Sequence, residues 1–268
     1  MELTEEQNNR YYRNILLKEI GVPGQKKLLN SRVLVIGVGG LGSPVALYLA
    51  AAGVGTIGIV DEDVVDISNL QRQIMYTSAD LGRSKAEVAG EHIKALNPDI
   101  NVMAYKLHIS SDNIPNLIRD YDFILDCTDN FSAKFLINDA CVLGEKPFTH
   151  AGILGFKGQL MTYVPHQGPC YRCVFGDIPP KDAVANSRQS GVVGALVGVI
   201  GSLQAMEAIK YLTDSGNLLT GYLLTYDALT QDFRKIKLPS DTSSCKVCGD
   251  HPVITHLADY NQSDTLNG

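Results

Sequence analysis

Much is absent from this chain of 268 residues, and each absence narrows what it can be. No basic stripe occurs anywhere and the formal net charge is −6, which argues against a general nucleic-acid binder. The first residues, Met1 to Asn9, are polar and acidic, so no secretory signal is read there. The most apolar run, Gly191 to Met206, is too short and too rich in glycine to span a bilayer comfortably. It is read as a buried helix, and no membrane contact is expected. Internal repeats and low-complexity segments are missing as well. Cysteine is scarce, six in all, and four of the six form two Cys-x-x-Cys pairs. With no export signal, that is a metal spacing rather than a disulfide pattern. The expected compartment is the cytoplasm.

What remains suits one large α/β domain. Strand-like runs at Val33–Ile36, Thr56–Val60, Asn101–Tyr105 and Phe123–Leu125 alternate with helical patterns at Ser43–Ala52, Lys85–Leu96 and Asn113–Arg119. Such alternation implies βαβ units and a Rossmann-like, mainly parallel sheet flanked by helices. After Gly144 the pattern changes. Pro147–Ala151 and Gly158–Val164 read as paired strands, Val192 to about Leu212 as a helix, and Tyr222–Tyr226 and Phe233–Lys237 as two further strands. These make an antiparallel C-terminal extension. A flexible loop is expected over 176–189, where Pro179-Pro180 breaks regular structure. The domain is expected to cover 1–250, with a nucleotide half at about 30–145, a second half at about 146–250, and a poorly ordered polar tail over 251–268.

The richest stretch is Val33 to Arg72. A strand leads into Gly37-Val38-Gly39-Gly40-Leu41-Gly42 and then a helix. Glycines let the backbone approach a phosphate, and the helix offers free N–H groups and the positive end of its dipole. Asp61 follows 24 residues after Gly37, where a carboxylate can accept from ribose hydroxyls. Dehydrogenases share these features. Ser68-Asn69-Leu70-Gln71-Arg72 shifts the balance from a dinucleotide to ATP, because a triphosphate needs cations beyond a helix N-terminus. Arg72 offers a bidentate fork and Lys85 a second positive charge. Asp126-Cys127-Thr128-Asp129-Asn130 closes the fourth strand, at the edge where open parallel sheets bind ligands. Either aspartate could cap the following helix. Facing a triphosphate, coordination of Mg²⁺ is the stronger reading, with Asp129 preferred and Cys127 taken as core.

Cys170-x-x-Cys173 and Cys245-x-x-Cys248 supply four thiolates, enough for a closed tetrahedral Zn²⁺ site of structural kind. The 71 residues between the pairs make it a staple for the C-terminal segment rather than a compact ribbon. Redox-active pairs and an Fe–S cluster are the alternatives.

Taken together, Gly37 to Gly42, Asp61, Ser68 to Gln73, Lys85, Asp126 to Asn130, both Cys-x-x-Cys pairs and Gly201-Ser202-Leu203-Gln204-Ala205 resemble the MoeB/ThiF adenylyltransferases, relatives of the ubiquitin-activating enzymes. The resemblance runs from about Arg10 to Cys248. It implies ATP-dependent adenylation of the C-terminal glycine of a small ubiquitin-fold sulfur carrier ending in Gly-Gly, with release of pyrophosphate, in thiamine, molybdopterin or related sulfur transfer. By motif, the nucleotide would be bound through Gly37, Gly39, Gly40, Gly42, Asp61, Ser68, Asn69, Gln71, Arg72, Lys85, Asp129 and Asn130. Gly40 would touch phosphates, Asp61 the ribose, and Asn69, Gln71, Arg72 and Lys85 the shifting charge. The second half would receive the carrier, over its later strands. The resemblance also implies a homodimer in which Arg13 reaches the neighbouring subunit's ATP; spacing alone places Arg13 in a surface helix. Family members often carry cysteine where this chain has Ser187, so no covalent carrier adduct is expected there, and sulfur would come from a separate persulfide donor. The competing readings are an NAD(P)-dependent oxidoreductase and a nucleotide-sensing scaffold.

Overall fold

The computed structural model describes residues 2–179 and 191–260; Ser187 and most of the loop expected before it lie outside the described residues. The strands are β1 (Arg32–Ile36), β2 (Thr56–Val60), β3 (Asn101–Tyr105), β4 (Phe123–Asp126), β5 (Phe148–Leu154), β6 (Lys157–Tyr163), β7 (Tyr222–Asp227) and β8 (Asp232–Lys237). They form one sheet in the order β3-β2-β1-β4-β5-β6-β7-β8. Pairing is parallel from β3 to β5 and antiparallel from β5 to β8. The α/β reading with an antiparallel C-terminal extension therefore holds, and both halves of the chain share one sheet.

Strand β1 shows why the short apolar runs lack alternation: both faces of the sheet are covered. Val33 and Val35 face one core with Val45 and Leu49 of α4 (Gly42–Ala52), Val88 and Ile93 of α5 (Lys85–Leu96), and Leu196 and Ile200 of α9 (Gly194–Thr213). Leu34 and Ile36 face the other with Ile114 and Ile118 of α6 (Ile114–Arg119), Phe135 and Ile137 of α7 (Phe131–Leu143), and Tyr171 of α8 (Tyr171–Phe175). The apolar run read as a buried helix is α9. It is long and apolar enough to cross a membrane by composition, yet it packs as a core helix against α4 and strands β5 and β6.

Among the described residues, α3 (Gly21–Asn30) and α8 escaped the sequence reading, and α7 was expected only as the helix after Asn130, without bounds. Helix α7 is buried on nearly every side, so it has no polar face to mark a helical period. Helix α3 carries Pro23 and two glycines, but a proline in the first turn removes only an N–H that has no partner anyway. Ahead of it lie the short helices α1 (Glu5–Arg10) and α2 (Tyr12–Ile15).

The tail expected to be poorly ordered from 251 is docked as far as Tyr260, which corrects that expectation for residues 251–260. Its polar composition conceals Ile254, Leu257 and Tyr260, which pack on the second core. Ser111 N–H donates to Asp259 at 2.6 Å, and Tyr260 Oη donates to Asp139. Arg172, between the first two paired cysteines, forks onto Asp139 at 2.7 and 2.8 Å. Its guanidinium lies 4.7 Å from the Phe135 ring and 5.2 Å from that of Tyr260.

Candidate active site

The chain runs from β1 outward to β3 on one side and from β4 outward on the other, so the strand order reverses between β1 and β4. Ligands of open α/β sheets bind at such a switch point, beyond the carboxyl ends of the strands. Two turns meet there. Gly37, at φ 84°, follows β1, and a Cβ on it would lie 3.0 Å from the carbonyl oxygen of Cys127, which follows β4. Gly42 opens α4, where a Cβ would stand 2.1 Å from the Gly37 carbonyl. No side chain fits at either position. Gly39 and Gly40 line the same concavity, facing Gln73 Nε2 and Val197 respectively.

Asp61, at the end of β2, accepts from Val38 N–H at 2.9 Å and Asp63 N–H at 3.0 Å. It thereby ties the Gly-rich turn to the second strand. Burial raises its carboxyl, against Lys85 and the two N–H donors. Lys85, the first residue of α5, is buried and its Nζ sits 2.8 Å from Asp63. It belongs to the same edge of the site but is engaged with a carboxylate there. Tyr76, which the sequence reading did not single out, donates its hydroxyl to the Val38 carbonyl at 2.8 Å and lies 3.2 Å from that of Lys85.

The segment after β2 folds over this turn. Ser68 is held by Asp66 at 2.5 Å, and Asn69 accepts from Gln73 Nε2 at 2.7 Å. Arg72 Nη1 donates to the Ser68 carbonyl at 3.1 Å, and Gln71 is exposed. Helix α9 begins directly against this segment, because a Cβ on Gly194 would stand 2.4 Å from the Gln71 carbonyl. Gln73 is buried, with its Nε2 facing Gly39 and its Oε1 without a partner among the described residues. A glycine turn that opens a helix, with Gln73 Nε2 and the Arg72 side chain beside it, suits an anionic ligand.

The turn after β4 separates the two aspartates. Asp126 is 1% exposed and is fully engaged inside the fold, whereas Asp129 is exposed. Of the two, only Asp129 is open to solvent. Asn130 caps α7, accepting from Ala133 N–H at 2.8 Å. Arg13 does not join this group. It is exposed, two residues from Tyr11, whose buried ring packs where a Cβ on Gly53 would stand. That is the far end of α4 from Gly42, roughly 16 Å away for an 11-residue helix.

The four paired cysteines do converge. Their sulfurs lie within 4.8 Å of one another, at 3.8 Å for Cys170–Cys173, 3.7 Å for Cys170–Cys245 and 3.4 Å for Cys173–Cys248. A tetrahedron of metal–sulfur bonds of about 2.3 Å has edges of about 3.8 Å. The cluster could hold a metal ion, with no position left open for chemistry.

Residues 11–247 match the ThiF family. The protein Adenylyltransferase and sulfurtransferase MOCS3 of Aedes aegypti is 46% identical over 94% of this chain and 58% of its own length. The Sulfur carrier protein adenylyltransferase of Thermus thermophilus is 44% identical over 97% of both. The chain spans between 56% and 60% of the MOCS3 relatives it matches. Among solved structures, MccB of E. coli with ATP superposes with a TM-score of 0.81 at 26% identity, over 92% of this chain and 75% of that one. Glycine turn, switch-point aspartates and cysteine cluster thus occur together in a chain that belongs to the ThiF family.

Proposed function

We propose that this chain adenylates the C-terminal glycine of a ubiquitin-fold sulfur carrier ending in Gly-Gly, using ATP. The observation that carries this is the meeting of the Gly37 turn with the Cys127 turn, with the Arg72 side chain beside Gly40. Asp61 would receive the ribose and the Gly37–Gly42 backbone the phosphates. Asn69, Gln71 and Arg72 would turn donors toward the phosphoryl oxygens and meet charge as it shifts; Lys85 would exchange Asp63 for phosphate. Ser68 and Asn130 would hold these groups in place through their turn and cap. A carboxylate oxygen of the carrier forms a bond to the α-phosphorus, the bond to the bridging oxygen breaks, and pyrophosphate leaves. Mg²⁺ held by Asp129 would supply charge neutralisation on the phosphates.

The cysteine cluster suits Zn²⁺, held by Cys170, Cys173, Cys245 and Cys248 as a structural staple, and a reducing cytoplasm would keep these thiols available. The carrier would lie over β7 and β8. Phe233 there is 52% exposed and stacks on Tyr226 at 4.2 Å. Leu229 and Phe156 are exposed as well, the Phe156 carbonyl accepting from Ala228 N–H at 2.9 Å, and Arg234, Lys235 and Lys237 lie along the edge strand. A homodimer would cover the exposed Tyr12, Leu16, Leu17, Tyr48 and Met206 and bring Arg13 to the partner's nucleotide. Sulfur would then come from a separate persulfide donor, with no adduct at Ser187.

The test is ATP–pyrophosphate exchange with a purified carrier. Carrier-dependent exchange is expected. A change in nicotinamide absorbance would favour the oxidoreductase reading, and ATP binding without exchange the scaffold.

A further inference from the structure

Beneath the Asp129 turn lies a buried ionic cluster drawn from three elements. Asp126 of β4 and His150 of β5 are each 1% exposed, and Lys134 of α7 is 7% exposed. Lys134 Nζ lies 3.4 Å from Asp126 Oδ2 and donates to the Ala151 carbonyl at 2.9 Å. His150 Nδ1 lies 2.8 Å from the same Oδ2. A carboxylate only accepts, so the proton is assigned to Nδ1 and Nε2 is a bare acceptor, with no partner among the described residues. Asp126 Oδ1 accepts from Thr128 N–H at 3.0 Å and from its hydroxyl at 2.6 Å, and Gln204 of α9 donates to the Asp126 carbonyl at 2.8 Å.

Removing an ion pair from water is unfavourable, and an apolar cluster of like volume often serves stability equally well. Stability alone therefore gives no reason for this arrangement. Its place does. The turn locked by Asp126 and Thr128 leads directly into Asp129 and rests against Gly37. The His150 ring is walled in, 4.4 Å from the Tyr171 ring and 6.2 Å from that of Phe175, so it cannot turn away from Asp126.

We propose that His150 is a positioning residue: by donating from Nδ1 to Asp126 it holds the Asp126–Thr128 turn and sets the Asp129 carboxylate where a divalent cation on the nucleotide meets it. This rests on the assignment of Asp129 as the cation-facing group.

The experiment titrates Mn²⁺ into protein saturated with the non-hydrolysable α,β-methylene analogue of ATP, read by calorimetry, with thermal melts of each variant. His150→Phe keeps the ring and removes the donor; His150→Asn restores an N–H near the Nδ1 position. His150→Phe is expected to weaken Mn²⁺ binding by about tenfold or more, as loss of a group that orients a ligand does, while His150→Asn recovers most of it. Where His150→Phe does not fold, His150→Gln, whose amide reaches toward the Nε2 position instead, takes its place. Unchanged Mn²⁺ affinity in the variant lacking the donor, or equal loss in His150→Asn, overturns the positioning role. Asp129→Ala is the separate control: unchanged Mn²⁺ affinity there overturns the metal assignment of Asp129 instead.

Discussion

Gly37 and Cys127 touch: a side chain on the first would strike the carbonyl oxygen of the second at 3.0 Å. Strands β1 and β4 are sequence-distant but adjacent in the sheet, and this contact brings their terminal turns together. Gly37 also holds φ at 84°. Gly37→Ala should therefore cost about 1–3 kcal/mol through backbone strain and push the two turns apart. Its expected signature is a lowered melting temperature together with loss of ATP binding by calorimetry. A variant that binds ATP as the parent does would remove the contact from the site.

Arg72→Ala should lower carrier-dependent exchange by about two to four orders of magnitude, the scale for losing one preorganised charge-stabilising group, with the fold intact. Near-parental exchange in the folded variant would end its assignment. The distance of Arg13 from the Gly37 turn in its own chain makes a second measurement decisive. Mixed Arg13→Ala and Arg72→Ala subunits should recover exchange, since one site in such a dimer lacks both changes; no recovery despite demonstrated subunit exchange would count against an arginine acting across subunits.

Cys245→Ser, or chelation, should release one Zn²⁺ per chain and lower the melting temperature on the order of 5–10 °C, as a loss of about 2–3 kcal/mol does in a domain of this size. The cluster clamps the segment that ends at Tyr260, so protease cleavage after Cys248 should rise while ATP affinity changes little. Native protein free of metal by elemental measurement would contradict this.

Acid should weaken the fold through His150. Burial, then Lys134, push this imidazole down to about 4 against the pull of Asp126; the Tyr171 ring packs against it at a tilt of 57°, and Lys134 and Asp126 are the charged groups beside it. The unfolded chain takes up a proton near pH 6.5 that the folded protein refuses. Stability should thus fall as pH drops from about 6.5 to about 4, by on the order of 3 kcal/mol. Asp126, which burial alone would raise but Lys134, His150 and Thr128 hold well below the usual carboxylate range, adds a further loss at lower pH. Urea unfolding of the parent and His150→Asn at several pH values measures this; identical slopes would exclude His150 as the source.

The α/β order, the glycine turn and the paired cysteines were legible because each is a local pattern: a run of β-branched residues, a spacing of glycines, a spacing of thiols. The extent of helix α7 was not, since burial on nearly all sides erases the amphipathic period. Nor was Tyr76, whose partners Val38 and Lys85 are named only by the fold.

The amino-acid sequence by itself determined which residue types could face a nucleotide, a cation and a metal, and the class of sheet that would carry them. Only the tertiary structure decided which of two nearby aspartates faces outward. Asp126 and Asp129 are three residues apart and chemically alike, but Lys134 and His150 arrive from α7 and β5 to claim the first, leaving Asp129 exposed. Long-range packing makes that choice, because a buried carboxylate is tolerable only where other elements bring it donors and positive charge.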